Sequence, residues 1–286
     1  MKNYKNILAL FIGFLFIQFT IASDLIEAKD LAKIMKDKNV VVVSAQKASL
    51  YSDFHITGSI NLPPANLTDN EPVPYINKSV AEMEKIIEEK GIYETNTINV
   101  YDEGTSKYSG RLYWVLKYLG VADVKVLNGG IEAWKASRKP VTSTPTKLKA
   151  TTFKANVQTQ FIANFDEVKK ASASDAYVII DARSAEEFAG TDDTKLRKGH
   201  IPNAVHIEYK DLITADGTLK SAEALKALFE KKGVTSNKTV IIYCKTSVRA
   251  AIEFTALHSV LGYPNVKVYD GAFSEWSSNS STDVVR

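Results

Sequence analysis

Two hydrophobic periods alternate along the chain, and the alternation predicts the fold. Short, almost unbroken apolar runs such as "AYVIID" (176–181), "TVIIYC" (239–244) and "NVKVYDG" (265–271) read as strands buried on both faces of a parallel sheet. Between them, "SAEALKALFEKKG" (221–233) carries apolar residues at helical spacing and stops at Gly. "VRAAIEFTALHSVLG" (248–262) reads as a second helix, with Ala250, Ala251, Phe254, Leu257 and Leu261 inward and Gly262 as its stop. Strand alternating with helix predicts an α/β fold with a mainly parallel sheet.

The pattern is written twice. "FHITGSINL" from Phe54 matches "GHIPNAVHI" from Gly199, with His55 and His200 145 residues apart. "TINVYD" ends at Asp102 and "TVIIYC" at Cys244; "VLNGGIEAW" ends at Trp134 and "VYDGAFSEW" at Trp276; both pairs, like Gly120 and Gly262, are 142 residues apart. Coincident offsets of this kind predict a duplicated domain. The segment "KPVTSTPTKLKATTF" (139–153), rich in Thr and Pro, has the composition of a connection. The expected organisation is a first domain over 24–140, a linker over 141–152 and a second domain over 153–286.

Residues 1–23 stand apart. Lys2 and Lys5 precede an apolar run from Ile7 to Ala22, which is short for a bilayer span of about 20 residues. Small residues Ala22 and Ser23 close it. This is the pattern of a secretory signal peptide, cleaved near Ala22 or Ser23. An uncleaved anchor is the alternative. The mature chain is expected to be exported, periplasmic in a bacterium, without stable membrane association.

Composition narrows the chemistry. The chain is 286 residues, 45% hydrophobic and 24% charged, which excludes a disordered class. Net charge is +3 and two of the lysines lie in the leader, so nucleic-acid binding has no support. The single cysteine excludes an intramolecular disulfide and a Cys-rich zinc site.

That cysteine, Cys244, ends a buried strand just before a helix, where open α/β sheets bind ligands. The turn between them would aim backbone N–H groups and the positive helix end at one spot. A thiolate there is stabilised by those donors and by Lys245 and Arg249. Four residues separate Cys244 from Arg249, a tighter loop than the five of cysteine phosphatases, and it suits a single sulfur atom as target.

With "VIIDARSAEEF", "GHIPNAVHI", "DGTLKSAEALKALF", "IIYCKTSVRAA" and "VYDGAFSEW" in order and duplicated, residues 24–286 resemble a tandem-domain rhodanese, a thiosulfate or mercaptopyruvate sulfurtransferase. The resemblance implies two rhodanese-like domains, the second active through Cys244 and the first inactive, with Asp102 at the cysteine position and a longer loop after it. It implies a Cys244 persulfide, cradled by the N–H groups of Lys245, Thr246, Ser247, Val248 and Arg249. Lys245 and Arg249 would hold the anionic donor, Arg183 would line the cleft or form an internal ion pair, and a small thiophilic acceptor such as cyanide or a thiol would remove the sulfur. No cofactor or metal is implied.

Glu187 stands where thiosulfate-using members place a substrate arginine, and Ser247 where many members have Gly. Lys245 argues against the mercaptopyruvate branch. A cationic loop facing a dianionic donor favours thiosulfate. 3-Mercaptopyruvate, or a non-catalytic polysulfide or persulfide carrier, is the alternative. Among other residues, His55 and His200 are expected to share a structural role, Trp134 and Trp276 to pack in a core or between the domains, and Arg111 to form a surface or interdomain ion pair.

Overall fold

The computed structural model describes residues 23–286, so the expected leader lies outside the described residues except for Ser23. Each half forms a five-stranded parallel sheet. In the first, β1 (Leu25–Ile26), β2 (Val40–Ser44), β3 (Ile60–Asn61), β4 (Thr97–Tyr101) and β5 (Val124–Leu127) lie in the order β1-β5-β4-β2-β3. In the second, β6 (Ile162–Ala163), β7 (Tyr177–Asp181), β8 (Ala204–His206), β9 (Thr239–Tyr243) and β10 (Val266–Tyr269) take the equivalent order β6-β10-β9-β7-β8. The duplication seen as sequence offsets is therefore a duplication of topology.

The central strand shows why its sequence is continuously apolar. Val240 and Ile242 enter one large core, while Ile241 and Tyr243 enter a second cluster on the opposite face. Each such side chain, fully buried, contributes about 1.5–3 kcal/mol. The large core runs through both domains, because the Lys107–Tyr118 helix packs on the Ala250–Phe254 helix. Gly110 permits the contact: a Cβ there would sit 3.1 Å from the Ala251 carbonyl oxygen.

Two expectations change. The helix from Ala250 keeps α geometry only to Phe254; Thr255–Val260 is a π turn. The repeat offsets explain it. Ser106 and Ser247 are matched, each with φ +58, yet Asp102 to Ser106 is four residues and Cys244 to Ser247 three. The second domain recovers the missing residue inside its helix, and a π turn is how a helix absorbs one extra residue. The connection is also less free than its composition implied. Val141–Thr142 pairs antiparallel with His55–Ile56, and Thr151 N–H bonds the Glu88 carbonyl at 3.0 Å.

His55 and His200 share one structural role. Nδ1 of His55 pairs with the Tyr51 carbonyl at 2.7 Å and its ring stacks on Tyr51; Nδ1 of His200 pairs with the Phe188 carbonyl at 2.9 Å and its ring stacks on Phe188. Trp134 and Trp276 are buried, their indole N–H groups donating to the carbonyls of Pro140 and Asp283. Among the described residues, no helix is long and apolar enough to cross a membrane.

Candidate active site

Cys244 is buried at the carboxyl end of β9, and its loop is fastened from behind. The Phe273 N–H donates to the Cys244 carbonyl at 2.9 Å; the Ser274 N–H and hydroxyl donate to the Lys245 carbonyl at 3.2 and 2.7 Å. Ser247 turns the chain in the left-handed region, φ +58, where glycine is the usual occupant. Lys245 is exposed, Ser247 buried, and Thr246, Val248 and Arg249 half-buried. Among the described residues, no backbone or side-chain acceptor pairs with the N–H of Lys245, Thr246, Ser247, Val248 or Arg249. The loop is a set of donors that no protein group engages.

The first domain shows the same set filled. Asp102 occupies the position of Cys244, and the Ile131 N–H bonds its carbonyl at 2.9 Å just as Phe273 bonds that of Cys244. Its carboxylate accepts from the N–H groups of Gly104, Thr105, Ser106, Tyr108 and Ser109 at 2.9–3.2 Å, and from the Thr105 hydroxyl. Two carboxylate oxygens thus engage, in the first domain, the loop N–H groups that have no protein acceptor in the second. Asp102 has no electrophilic or nucleophilic sulfur to offer, and its charge is spent on its own loop.

The cations are not arranged as expected. Arg249 donates to both oxygens of Glu187, at 2.5 and 2.8 Å. Burial would lower the Arg249 pKa, but the Glu187 hydrogen bonds and the nearness of Cys244 outweigh it and raise it. Glu187 is itself held by a capping box with Ser184 at the start of the Ala185–Ala189 helix. Glu187 therefore neutralises the loop's own arginine.

Of the two expectations for Arg183, the structure shows the internal ion pair and corrects its placement among the donor-binding residues. Its guanidinium is spent on both Asp181 oxygens, at 2.6–3.1 Å, and on the Gly199 carbonyl, at 2.7 Å, and lies 3.8 Å from the Phe273 ring centroid. Only 2% exposed, it is the internal ion pair. Asp181 also accepts from the Arg183 N–H and the Tyr243 hydroxyl.

Two further charged groups near Cys244 are buried, and only the first, Arg111, was expected to be paired between the domains. Arg111 is an interdomain ion pair, with Asp270 at 3.1 Å, but it is fully buried rather than at the surface and also donates to Ser247. Glu253, on the helix that follows the loop, is fully buried, and neither carboxyl oxygen has a partner. Burial, reinforced by the charges of Asp181, Cys244 and Asp211, raises its pKa well above the ordinary 4.5. A carboxyl raised on folding contributes fully below the unfolded value and loses that contribution as pH rises toward the folded value. A Glu253→Leu chain is expected to gain roughly 1–4 kcal/mol over the wild type near neutral pH. The gain should shrink on lowering the pH to about 4.5. Urea unfolding at a series of pH values checks this; a gain that does not grow with pH would contradict it.

Comparison with known proteins fixes the lineage. The model of the Rhodanese-like domain matches residues 27–137 and again 164–279. The chain belongs to the rhodanese family of sulfurtransferases. Both of its rhodanese domains have relatives in tandem. The 3-mercaptopyruvate sulfurtransferase of Escherichia coli (strain K12) is 31% identical over 268 residues, covering 89% of this chain and 95% of that protein. A putative thiosulfate sulfurtransferase of Saccharopolyspora erythraea is 32% identical over 243 residues, covering 82% of this chain and 85% of that one. The crystal structure of the Escherichia coli 3-mercaptopyruvate enzyme SseA aligns with a TM-score of 0.81 at 30% identity, covering 88% of this chain and 99% of that chain. Among the described residues, this rhodanese shows no group of three or more His, Cys, Asp or Glu that could hold a metal ion.

Proposed function

We propose that this sulfurtransferase takes the outer sulfur of thiosulfate onto Cys244 and passes it to a small thiophilic acceptor. The observation that carries the reading is the pair of loops: five N–H groups satisfied by Asp102 in one domain, and the matching loop around Cys244 with no protein acceptor in the other. The Cys244 thiolate attacks the outer sulfur, the bond to the sulfonate sulfur breaks, and sulfite leaves with that electron pair. The persulfide anion left on Cys244 sits among the loop N–H groups, which stabilise it as fixed donors that need no reorganisation. Cyanide or a thiolate then attacks the terminal sulfur and restores the Cys244 thiolate. Lys245, exposed at the rim, meets the departing dianion.

The Glu187–Arg249 pair favours a second reading. It removes one net positive charge from the donor side, and a singly charged carboxylate donor such as 3-mercaptopyruvate loses less by that than thiosulfate does. The test is intact mass after exposure to each donor in parallel, with sulfite or pyruvate measured as the other product. One added sulfur and sulfite from thiosulfate supports the first reading; loading by 3-mercaptopyruvate alone supports the second. Loading without turnover on cyanide would make the chain a carrier. The same spectrum tests our further reading that residues 1–23 are a removed export leader, since an exported chain should begin near Ser23. A Glu187→Gln change frees Arg249 and is expected to raise kcat/KM for thiosulfate about tenfold, or ~1.4 kcal/mol. The gain for 3-mercaptopyruvate should be smaller, and steady-state kinetics on both donors reads the difference.

A further inference from the structure

We propose that Arg111, a residue of the first domain, is the positioning residue of the Cys244 loop, holding it from behind in the shape that receives sulfur. The proposal rests on the persulfide reading above. It assigns the first domain, which has Asp102 in place of the cysteine, a part in the reaction.

The Arg111 side chain is fully buried and crosses the domain interface. Its Nη1 donates to the Ser247 hydroxyl. Its Nη2 donates to Asp270 Oδ1 at 3.1 Å, to Asn77 Oδ1 at 2.9 Å and to the Tyr75 carbonyl at 3.0 Å. The guanidinium carbon lies 4.5 Å from the Trp114 ring centroid, so the ring fixes the plane of the fork. Asp270 is in turn held by the Asn77 N–H at 3.0 Å.

Both contacts toward the second domain lead to Cys244. Ser247 is in the middle of the loop, with φ +58, a conformation that costs a non-glycine residue of the order of 1 kcal/mol and persists only where its surroundings enforce it. Asp270 follows β10 and leads into the Ala272–Ser278 helix, whose Phe273 and Ser274 N–H groups hold the carbonyls of Cys244 and Lys245. One guanidinium therefore grips the loop and the element that backs it. Holding those carbonyls orients the peptide planes whose N–H groups remain open. Arg249 is engaged with Glu187 on the half-exposed side, whereas Arg111 is sealed behind the loop and acts only through it.

A lysine cannot reproduce the fork, because an ammonium is a point donor on a flexible stem. The ordinary alternative is a buried interdomain ion pair that stabilises the fold and leaves the chemistry alone. The two differ in what they do to the rate per folded molecule.

The test uses the full chain carrying Arg111→Met, Arg111→Lys, Ser247→Ala or the Arg111→Met/Ser247→Ala pair. Single-turnover loading from thiosulfate is followed by mass, with the folded fraction measured alongside. A loop displaced by about 1 Å loses on the order of 10²-fold in rate, so Arg111→Met is expected to lower the saturating loading rate by that factor. The half-saturating donor concentration should stay within about twofold, since Lys245 and Arg249 are untouched. Ser247→Ala should lose about tenfold, Arg111→Lys should fall between, and the pair should lose no more than Arg111→Met alone. A saturating rate per folded molecule unchanged in Arg111→Met overturns the proposal, as does a pair whose losses simply multiply. If Arg111→Met does not fold, Ser247→Ala and Arg111→Lys decide it, and wild-type rates in both overturn it. A wild type that loads from thiosulfate or 3-mercaptopyruvate while the variants load equally well sinks only this inference; a wild type that loads from neither sinks the persulfide reading as well.

Discussion

A Cys244→Ser chain is expected to fold, keep its loop and acquire no sulfur. The change exchanges one buried atom for a slightly smaller one at the end of β9. The bonds that fix the loop run from Phe273 and Ser274 to the backbone carbonyls of Cys244 and Lys245, and do not involve the thiol. Stability should therefore move by about 1 kcal/mol or less. Chemistry has no such cushion. The chain has one cysteine, so no neighbouring thiol can take over, and a serine hydroxyl is not ionised at neutral pH to attack a sulfane sulfur. Removing the nucleophile of a covalent enzyme costs roughly 10⁶-fold in turnover, which here means the uncatalysed background. Thiosulfate–cyanide turnover and intact mass read it together. Residual transfer within about a hundredfold of wild type, or sulfur still loaded on the variant, would place the chemistry elsewhere.

The parts of this molecule legible in the sequence are those set by local pattern. Tyr177–Asp181 and Thr239–Tyr243 were readable because strands covered on both faces are apolar throughout, and the Ala222–Lys231 helix because only one face of it is. The Cys244 loop was readable because strand end, thiol and helix start are adjacent in the chain. What the sequence concealed depends on residues far apart in it. Arg111 and Ser247 are 136 positions apart, and Glu187 and Arg249 are 62. Nothing near Arg111 names its partners, although an arginine directly before the apolar "LYWVL" carries a trace of burial. For Arg183 the sequence left two readings open, and the second, an ion pair with Asp181 only two residues away, is the one the structure shows. The π turn leaves no mark in helical periodicity, and only the matching left-handed backbone of Ser106 and Ser247 in the structure shows where the repeat offset slips from 142 to 141.

The largest effect on stability is expected from Asp102→Ala, far from the reacting sulfur. The Asp102 side chain is fully buried and takes five backbone N–H groups and one hydroxyl. Alanine leaves those donors in place with nothing to receive them, and a buried charge network that loses one side costs about 3–5 kcal/mol. The thermal midpoint should fall by roughly 10 °C, and the urea midpoint with it. Asp102→Asn should cost less, because its oxygen still serves some of the donors. Sulfur loading per folded molecule should stay within about twofold, since the second-domain loop keeps its own fastenings. A fully stable Asp102→Ala chain would mean that water satisfies the loop, and the contrast between the two domains would lose its force. The contrast matters because the loops solve one problem in two ways. A turn that aims several N–H groups at one point is unstable unless an anion sits there. The first domain supplies the anion as a side chain, whereas the second puts a thiol there and, on the proposed reading, leaves the place to a transferred sulfur. On that reading, the stability the second loop forgoes is the stability that a bound persulfide would restore.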